Sequence, residues 1–307
     1  MRHRARCSTH EIARPYAGTP AYLRPKAVGR APMPLLLFAV LLGIVQGLTE
    51  FLPVSSSGHL VLFQQVFGDQ ITGLGDHVAF DLVLHMGTLV PVLVMYRSDI
   101  ATVFRDLAGS GPAMKRDGLR LAAWVVVGSV PTGLIGILFR ETFKQLFTTT
   151  LTVGIAFGLT AVLLWRTRAL AEGVRTIQEM SWRHALFIGL AQGVAITPGI
   201  SRSGTTIAVA LMLGLRRDLA ARFSFLLSIP AILGAFVLEA KDFDFASAHD
   251  LAPLGVGFVA AALSGWAALI LLLRLVRSGD FSRFAYYLGP LSAVAVAYGL
   301  LGPKGWF

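Results

Sequence analysis

The stretch Gly43-Ile-Val-Gln46-Gly47-Leu-Thr-Glu50-Phe-Leu-Pro53-Val-Ser55-Ser56-Ser57-Gly58-His59 decides how this chain is built. An apolar arm runs into an elbow of proline, serine and glycine, and a single carboxylate sits just before the break. The pattern returns in the second half of the chain. Gly189-Leu-Ala-Gln192-Gly193 matches Gly43 to Gly47, and Gly204 follows Gln192 by twelve residues as Gly58 follows Gln46. A serine precedes each of those glycines, Ser57 and Ser203; Ser55 aligns with Ser201, and both elbows hold a proline, Pro53 and Pro198. Further on, Phe80-Asp-Leu-Val-Leu-His85-Met-Gly parallels Phe223-Ser-Phe-Leu-Leu-Ser-Ile-Pro230. The chain therefore carries an internal repeat.

Between and beyond the elbows lie long uncharged runs. Leu121 to Phe139 is bracketed by Arg120 and Arg140, and Leu146 to Trp165 ends at Arg166. Leu251 to Leu273 lies between Asp250 and Arg274, and Phe284 to Pro303 ends at Lys304. Each is close to the roughly 20 residues a helix needs to cross the hydrocarbon core, and none alternates as a barrel strand would. The whole chain is 55% hydrophobic and 14% charged, against about 25% charged in soluble domains. An all-α integral membrane protein follows. The net charge of +10 does not point to nucleic acid, because +6 of it comes from seven Lys/Arg against Glu11 in residues 1–32. The other basic residues punctuate the ends of apolar runs, as membrane topology requires. The lone Cys7 excludes an intrachain disulfide and a multi-thiolate metal site.

Each repeat reads as a broken segment followed by three full spans. The broken segments cover about 34–68 and 184–214; the spans cover roughly 78–96, 119–139 and 146–166, then 222–239, 251–274 and 284–303. A Pro/Gly/Ser elbow cannot face lipid with its backbone groups unpaired, so both broken segments are expected to be re-entrant helical hairpins. Three crossings is an odd number, so the second repeat (about 184–303) is expected to be inverted relative to the first (about 34–166). The two elbows then meet near the midplane, where broken helices form substrate sites. Lys/Arg asymmetry places the connections at 97–118, 166–183, 216–222 and 274–283 on the cytoplasmic side. Residues 1–32 stand apart from the membrane domain 33–307. The segment is expected to be either a disordered basic tail on the membrane surface or an extension preceding a true start at Met33, which would remove a conflict with the charge rule.

An ionisable residue inside a membrane domain is a functional hypothesis by default. Gln46 and Glu50, four apart, share one helix face. Glu50 is the only carboxylate of the first elbow, and Arg202 is the only charge of the second, Thr197-Pro-Gly-Ile-Ser201-Arg202-Ser203-Gly204-Thr205-Thr206. The second elbow has the makings of an oxyanion cradle. Arg202 offers a planar fork for phosphate oxygens, Ser201, Ser203, Thr205 and Thr206 offer hydroxyls, and Gly199 and Gly204 allow close backbone approach. A helix restarting near Ser203 would aim its N-terminus at the anion. In the first elbow His59 could move protons, and Glu50 could act as a base or hold a divalent cation. Blander readings stand beside these. Ser and Thr also satisfy broken backbone, Glu50 and Arg202 could be a structural ion pair, and His59 could cap a helix. Asp81 and His85 form a second polar pair that either extends the site or is a satisfied polar contact.

Gln46-Gly-Leu-Thr-Glu-Phe-Leu-Pro-Val-Ser-Ser-Ser-Gly-His59, together with Pro198-Gly-Ile-Ser-Arg-Ser-Gly-Thr-Thr206, resembles the two signature motifs of the undecaprenyl-diphosphate phosphatases of the bacitracin-resistance type. Phe80 to Thr88 and Phe223 to Pro230 are also similar to that family, and the likeness runs from about Pro34 to the C-terminus. It implies hydrolysis of undecaprenyl diphosphate to the monophosphate and inorganic phosphate, dependent on Mg²⁺ or Ca²⁺. It further implies a bacterial inner-membrane protein with its site open to the outer face, acting on a polyprenyl diphosphate lipid among membrane lipids, with a homodimer left open. Glu50 matches the glutamate of the first motif, Arg202 the phosphate-binding arginine, and Ser55, Ser56 and His59 the serine and histidine positions. Where some members carry a second glutamate this chain has Gln46, which can ligate a cation through its carbonyl but cannot act as a base. The fragments Ser-Gly-His59 and Ser201-Arg202 also echo acid-phosphatase-type lipid phosphatases, but Ala208 stands where those need a nucleophilic histidine. Attack by water, or by Ser55 or Ser56, is expected instead. A secondary transporter or polyprenyl-phosphate flippase would use the same architecture, and release of inorganic phosphate separates the two.

Overall fold

The computed structural model describes residues 35–71, 77–109, 117–146, 149–240 and 251–301. The basic segment 1–32, Met33 and the acidic stretch within 241–250 lie outside the described residues. Twelve α-helices are described: α1 (Leu35–Phe51), α2 (Ser56–Ile71), α3 (His77–Met95), α4 (Arg97–Leu107), α5 (Asp117–Leu138), α6 (Arg140–Leu146), α7 (Thr150–Arg166), α8 (Trp182–Val194), α9 (Arg202–Met212), α10 (Arg217–Glu239), α11 (Ala252–Ser278) and α12 (Ala285–Leu301). Among the described residues the only β-type pairing is an isolated bridge between Arg175 and Leu215.

Five helical stretches are long and apolar enough to cross a membrane: α5, α10 and α11, α7 with the short helical turn that follows it (Thr150–Ala169), and α12 with the one that precedes it (Asp280–Leu301). The pair α3 and α4 makes a sixth if counted as one span bent by 70°. The helices fall where the uncharged runs lead one to expect them. Their outward faces carry large apolar side chains such as Leu134, Ile137, Val162 and Leu263, each more than half exposed. A water-soluble protein rarely shows so much exposed apolar surface; here hydrocarbon solvates it. Two connections expected between spans are themselves helical. Residues 97–107 form α4, tied to α5 by Asp106, whose Oδ2 accepts the Gly118 N–H at 2.9 Å. Residues 140–146 form α6, from which Arg140 reaches Glu239 at the end of α10 at 2.8 Å. Charged segments of this kind escape a search for apolar runs, although their backbone is free to close helical hydrogen bonds.

Lipid offers apolar side chains no hydrophobic drive to associate, so close backbone approach at small residues holds such helices together. Gly43 and Gly47 of α1 lie against Gly257, Ala261 and Gly265 of α11, and a Cβ at Gly47 would sit 2.4 Å from the Ala261 carbonyl oxygen. Gly189 and Gly193 of α8 meet Gly128 and Ile135 of α5 in the same manner, and Thr132 Oγ1 donates to the Gly189 carbonyl at 2.8 Å. The first arm of each broken segment thus packs on the second span of the opposite repeat, α1 on α11 and α8 on α5. The third spans, α7 and α12, pack on each other, with Ser292 Oγ donating to the Gly154 carbonyl at 2.7 Å.

Candidate active site

Both helical breaks have local causes. Pro53 lacks an N–H and disfavours helical backbone at Leu52, so α1 stops at Phe51. The chain turns through Ser55, which holds φ +69°, the one non-glycine residue with positive φ among the described residues. A left-handed serine costs energy, and such positions concentrate at functional sites. In the second break Pro198 precedes Gly199 at φ +90°, where a Cβ would also meet the Val153 carbonyl oxygen at 2.6 Å. Each break then restarts a helix on a serine cap. Ser55 Oγ accepts the Gly58 N–H at 3.4 Å, and Ser201 Oγ accepts the Gly204 N–H at 3.1 Å. In each elbow the cap hydroxyl also lies 3.3 Å from the hydroxyl of the serine two residues on, Ser57 or Ser203. The sequence repeat is therefore a repeat of capping geometry.

The elbows meet at Glu50 and Arg202. Arg202 Nη2 donates to Glu50 Oε1 at 2.6 Å, with the two side chains only 16% and 7% exposed. Glu50 Oε2 accepts from Ser56 Oγ at 2.6 Å and from Gln46 Nε2 at 3.1 Å. His85 stands on the same oxygen, its Nε2 3.6 Å away, oriented by an Nδ1–H bond to the Asp81 carbonyl at 2.8 Å. His85 thus reaches the site, and Asp81 orients it through its backbone.

Three buried polar atoms around this pair have no hydrogen-bond partner: Arg202 Nη1, Gln46 Oε1 and Thr205 Oγ1. Buried polar groups are nearly always satisfied, so each exception needs a reason. Here a donor of the guanidinium, an amide carbonyl and a hydroxyl are left over beside a carboxylate that already accepts three hydrogen bonds. The donor suits an anionic oxygen and the carbonyl suits a cation.

The remaining expected residues have defined places. Ser203 is buried and donates to the Leu52 carbonyl at 3.4 Å, stitching one elbow to the other. Thr206, also fully buried, donates to the Arg202 carbonyl at 2.8 Å and shares a 2.5 Å hydrogen bond with Ser224. The Gly204 N–H is taken by the Ser201 cap, and a Cβ at Gly204 would lie 3.1 Å from that of Pro53. His59 donates through Nδ1 to the Ser55 carbonyl at 2.8 Å. In the neutral ring Nε2 is then the acceptor, and it receives the Tyr287 hydroxyl at 2.8 Å. Tyr287, 228 residues away on α12, carries no sequence signal for this contact, since it lies among apolar residues of an ordinary span. Thr160 is a second residue beyond sequence reasoning: its hydroxyl accepts the Ser201 N–H at 3.2 Å and supports the second elbow from α7.

A multi-pass helical membrane protein with a carboxylate–guanidinium pair buried where two broken helices meet is, by class, one with an intramembrane ionic site. The particular kinship is specific. The family model described as bacitracin resistance protein BacA matches residues 39–294, and the chain belongs to that family. It is 46% identical over 254 residues to an undecaprenyl-diphosphatase of Carboxydothermus hydrogenoformans, covering 81% of this chain and 92% of the relative. It is 46% identical over 272 residues to the protein of the same name from Desulfosudis oleivorans, covering 85% and 97%. A third, from Alkaliphilus metalliredigens, is 40% identical over 274 residues, covering 86% and 98%.

Proposed function

We propose that this protein hydrolyses undecaprenyl diphosphate to undecaprenyl phosphate and inorganic phosphate, and so recycles the lipid carrier of cell-wall synthesis. The observation that carries this reading is the Arg202 guanidinium, which holds Glu50 with one nitrogen and keeps the other buried and unpartnered. That free edge suits the phosphoryl oxygens of a diphosphate. Ser56 is the hydroxyl best placed to react, because it already donates to Glu50 at 2.6 Å. Ser55 and Ser201 are occupied as helix caps.

In this mechanism Glu50 takes the Ser56 proton and the Ser56 oxygen attacks the terminal phosphorus. The bond from that phosphorus to the bridging oxygen breaks, and the undecaprenyl phosphate leaves. Glu50 passes the proton it took to the departing undecaprenyl phosphate. Water then attacks the phosphoserine, giving a proton to Glu50, which returns it to the Ser56 oxygen as inorganic phosphate leaves. Arg202 neutralises charge growing on the phosphoryl oxygens, preorganised in a site where water is scarce. Ser201, Ser203, Gly204 and Thr206 shape the cradle that holds Arg202. His59, with its tautomer set by Ser55 and Tyr287, moves protons at the rim.

A divalent cation, Mg²⁺ or Ca²⁺, fits the donor set in part. Glu50 and the unpartnered Gln46 carbonyl would hold it, with substrate oxygens and water completing the shell, as hard cations accept. No group of three His, Cys, Asp or Glu suited to a metal occurs among the described residues, and hard cations accept substrate oxygens and water beside one or two protein ligands. The cation would screen the negative charge of the diphosphate.

The repeats are read as inverted and the two broken segments as re-entrant hairpins, in a bacterial inner membrane with the site open to the outer face. The exchange of partners between halves, α1 on α11 and α8 on α5, supports a two-fold relation between the repeats. Phosphate release from undecaprenyl diphosphate by purified protein, with and without Mg²⁺ or Ca²⁺, is the test. Metal-dependent release that Glu50→Ala and Arg202→Ala both abolish is expected. Well-folded protein that releases no phosphate under any metal condition would overturn the proposal.

A further inference from the structure

A second charged cavity lies away from this site, where the end of α3, the start of α10 and the end of α11 converge. Its volume is about 260 Å³, far more than the few tens of Å³ that one water needs. Phe225 stands between the two places, its ring 5.7 Å from Phe51 at the first elbow and 6.2 Å from Tyr96 at the cavity. Three guanidinium groups line the cavity, Arg217, Arg222 and Arg277, with two carboxylates, Asp99 and Asp218.

The charges do not cancel inside it. Asp99 is paired with Arg222, and Asp218 turns to Arg216, which is not part of the lining, at 3.2 Å. Arg217 spends one nitrogen on the Arg277 carbonyl at 3.2 Å. The Arg277 guanidinium has no hydrogen bond or ion pair among the described residues, and Arg222 Nε is buried without a partner. Arg217 also opens the 23-residue helix α10, whose first turn has no side-chain cap. Asp218, in that same first turn, offsets the partial positive charge of the helix end, so the cavity's excess charge is that of its guanidinium groups. Met95, Leu273 and Val276 supply an apolar wall beside the arginines.

We propose that this cavity binds the phosphate head group of an anionic membrane lipid, with Arg217 and Arg277 on the phosphate oxygens and the lipid chain along the apolar wall. Basic pockets between transmembrane helices recognise such head groups, and arginine is suited to grip phosphate. The site is independent of the hydrolytic reading, since it shares no residue with the Glu50–Arg202 centre.

Native mass spectrometry of the purified full chain tests this with phosphatidylglycerol against phosphatidylcholine. Wild-type protein is expected to retain phosphatidylglycerol preferentially. Arg277→Gln is expected to lower its retention about five-fold, and Arg217→Gln with Arg277→Gln about 25-fold, from the typical contribution of one basic residue near a membrane surface. Phosphate release in detergent should be unchanged in both. Arg277 is exposed, so the single variant carries the test if the double variant does not fold. Equal retention of both lipids by wild type, or undiminished phosphatidylglycerol in Arg277→Gln, overturns the proposal. Displacement of the lipid by millimolar inorganic phosphate would also overturn it, assigning the cavity to free phosphate instead.

Discussion

Arg202→Lys separates the two roles open to this arginine, counter-ion to Glu50 and anchor for a phosphoryl group. In the structure Nη2 lies 2.6 Å from Glu50 while Nη1 is buried and unpartnered. Lysine brings one ammonium in place of a planar fork. It can still neutralise Glu50, so the fold should tolerate it, whereas Arg202→Ala would leave a buried carboxylate without its partner at a cost of about 3–5 kcal/mol. What lysine cannot do is hold Glu50 and the phosphoryl oxygens together. Losing one preorganised donor of this kind costs about 2.7–4 kcal/mol in the transition state, or about 10²–10³ in kcat. Phosphate release at saturating undecaprenyl diphosphate, read beside thermal unfolding, is the assay. Because the contact strengthens as charge develops, kcat and kcat/KM should fall together. A lysine variant that unfolds normally and keeps kcat within about three-fold would refute the reasoning and reduce Arg202 to an ion-pair partner.

The two serines of the first elbow should behave differently. Ser56→Ala removes the hydroxyl on Glu50 and should lower kcat by more than about 10³-fold, the scale of losing a nucleophile, while Ser55→Ala should mainly lower stability by about 0.5–2 kcal/mol as a lost cap; the reverse pattern would reassign the nucleophile. Tyr287→Phe leaves His59 Nε2 without its donor and should lower kcat about 2- to 10-fold with little change in KM, the worth of one hydrogen bond; an unchanged rate would remove Tyr287 from the site. Gly47→Ala would put a Cβ 2.1 Å from Ser264 Oγ and 2.4 Å from the Ala261 carbonyl oxygen, and should destabilise by about 1–3 kcal/mol through overpacking. Gly133→Ala, with nothing within 4 Å of its added methyl, should instead be neutral or stabilise by up to about 1 kcal/mol in thermal unfolding.

Much of the molecule is legible in the chain because lipid and backbone impose local rules. Uncharged runs of about 20 residues mark the spans, and the order of Pro53, Ser55 and Gly58, repeated as Pro198, Ser201 and Gly204, marks both breaks. Arg202 and Glu50 stand out because a lone charge in an apolar segment is costly unless it is used. The helices α4 and α6 are hidden for the opposite reason, since their charged residues break no rule of the apolar pattern. Other facts depend on distance across the fold. That Ser56 faces Glu50 while Ser55 turns to cap α2 follows from a left-handed backbone at Ser55, which neighbouring serines cannot announce. That Ser203 joins the elbows, Thr206 turns to Ser224 and His85 reaches Glu50 is set by how α9, α10 and α3 pack. Tyr287 is the clearest case. It falls just after the charged turn Asp280 to Arg283, at the start of an ordinary apolar span, and only the packing of α12 against α7 and the first elbow brings its hydroxyl to His59. Hydrophobicity and helix breaking are properties of a few consecutive residues, whereas a hydrogen bond across 228 positions is a property of the assembled bundle.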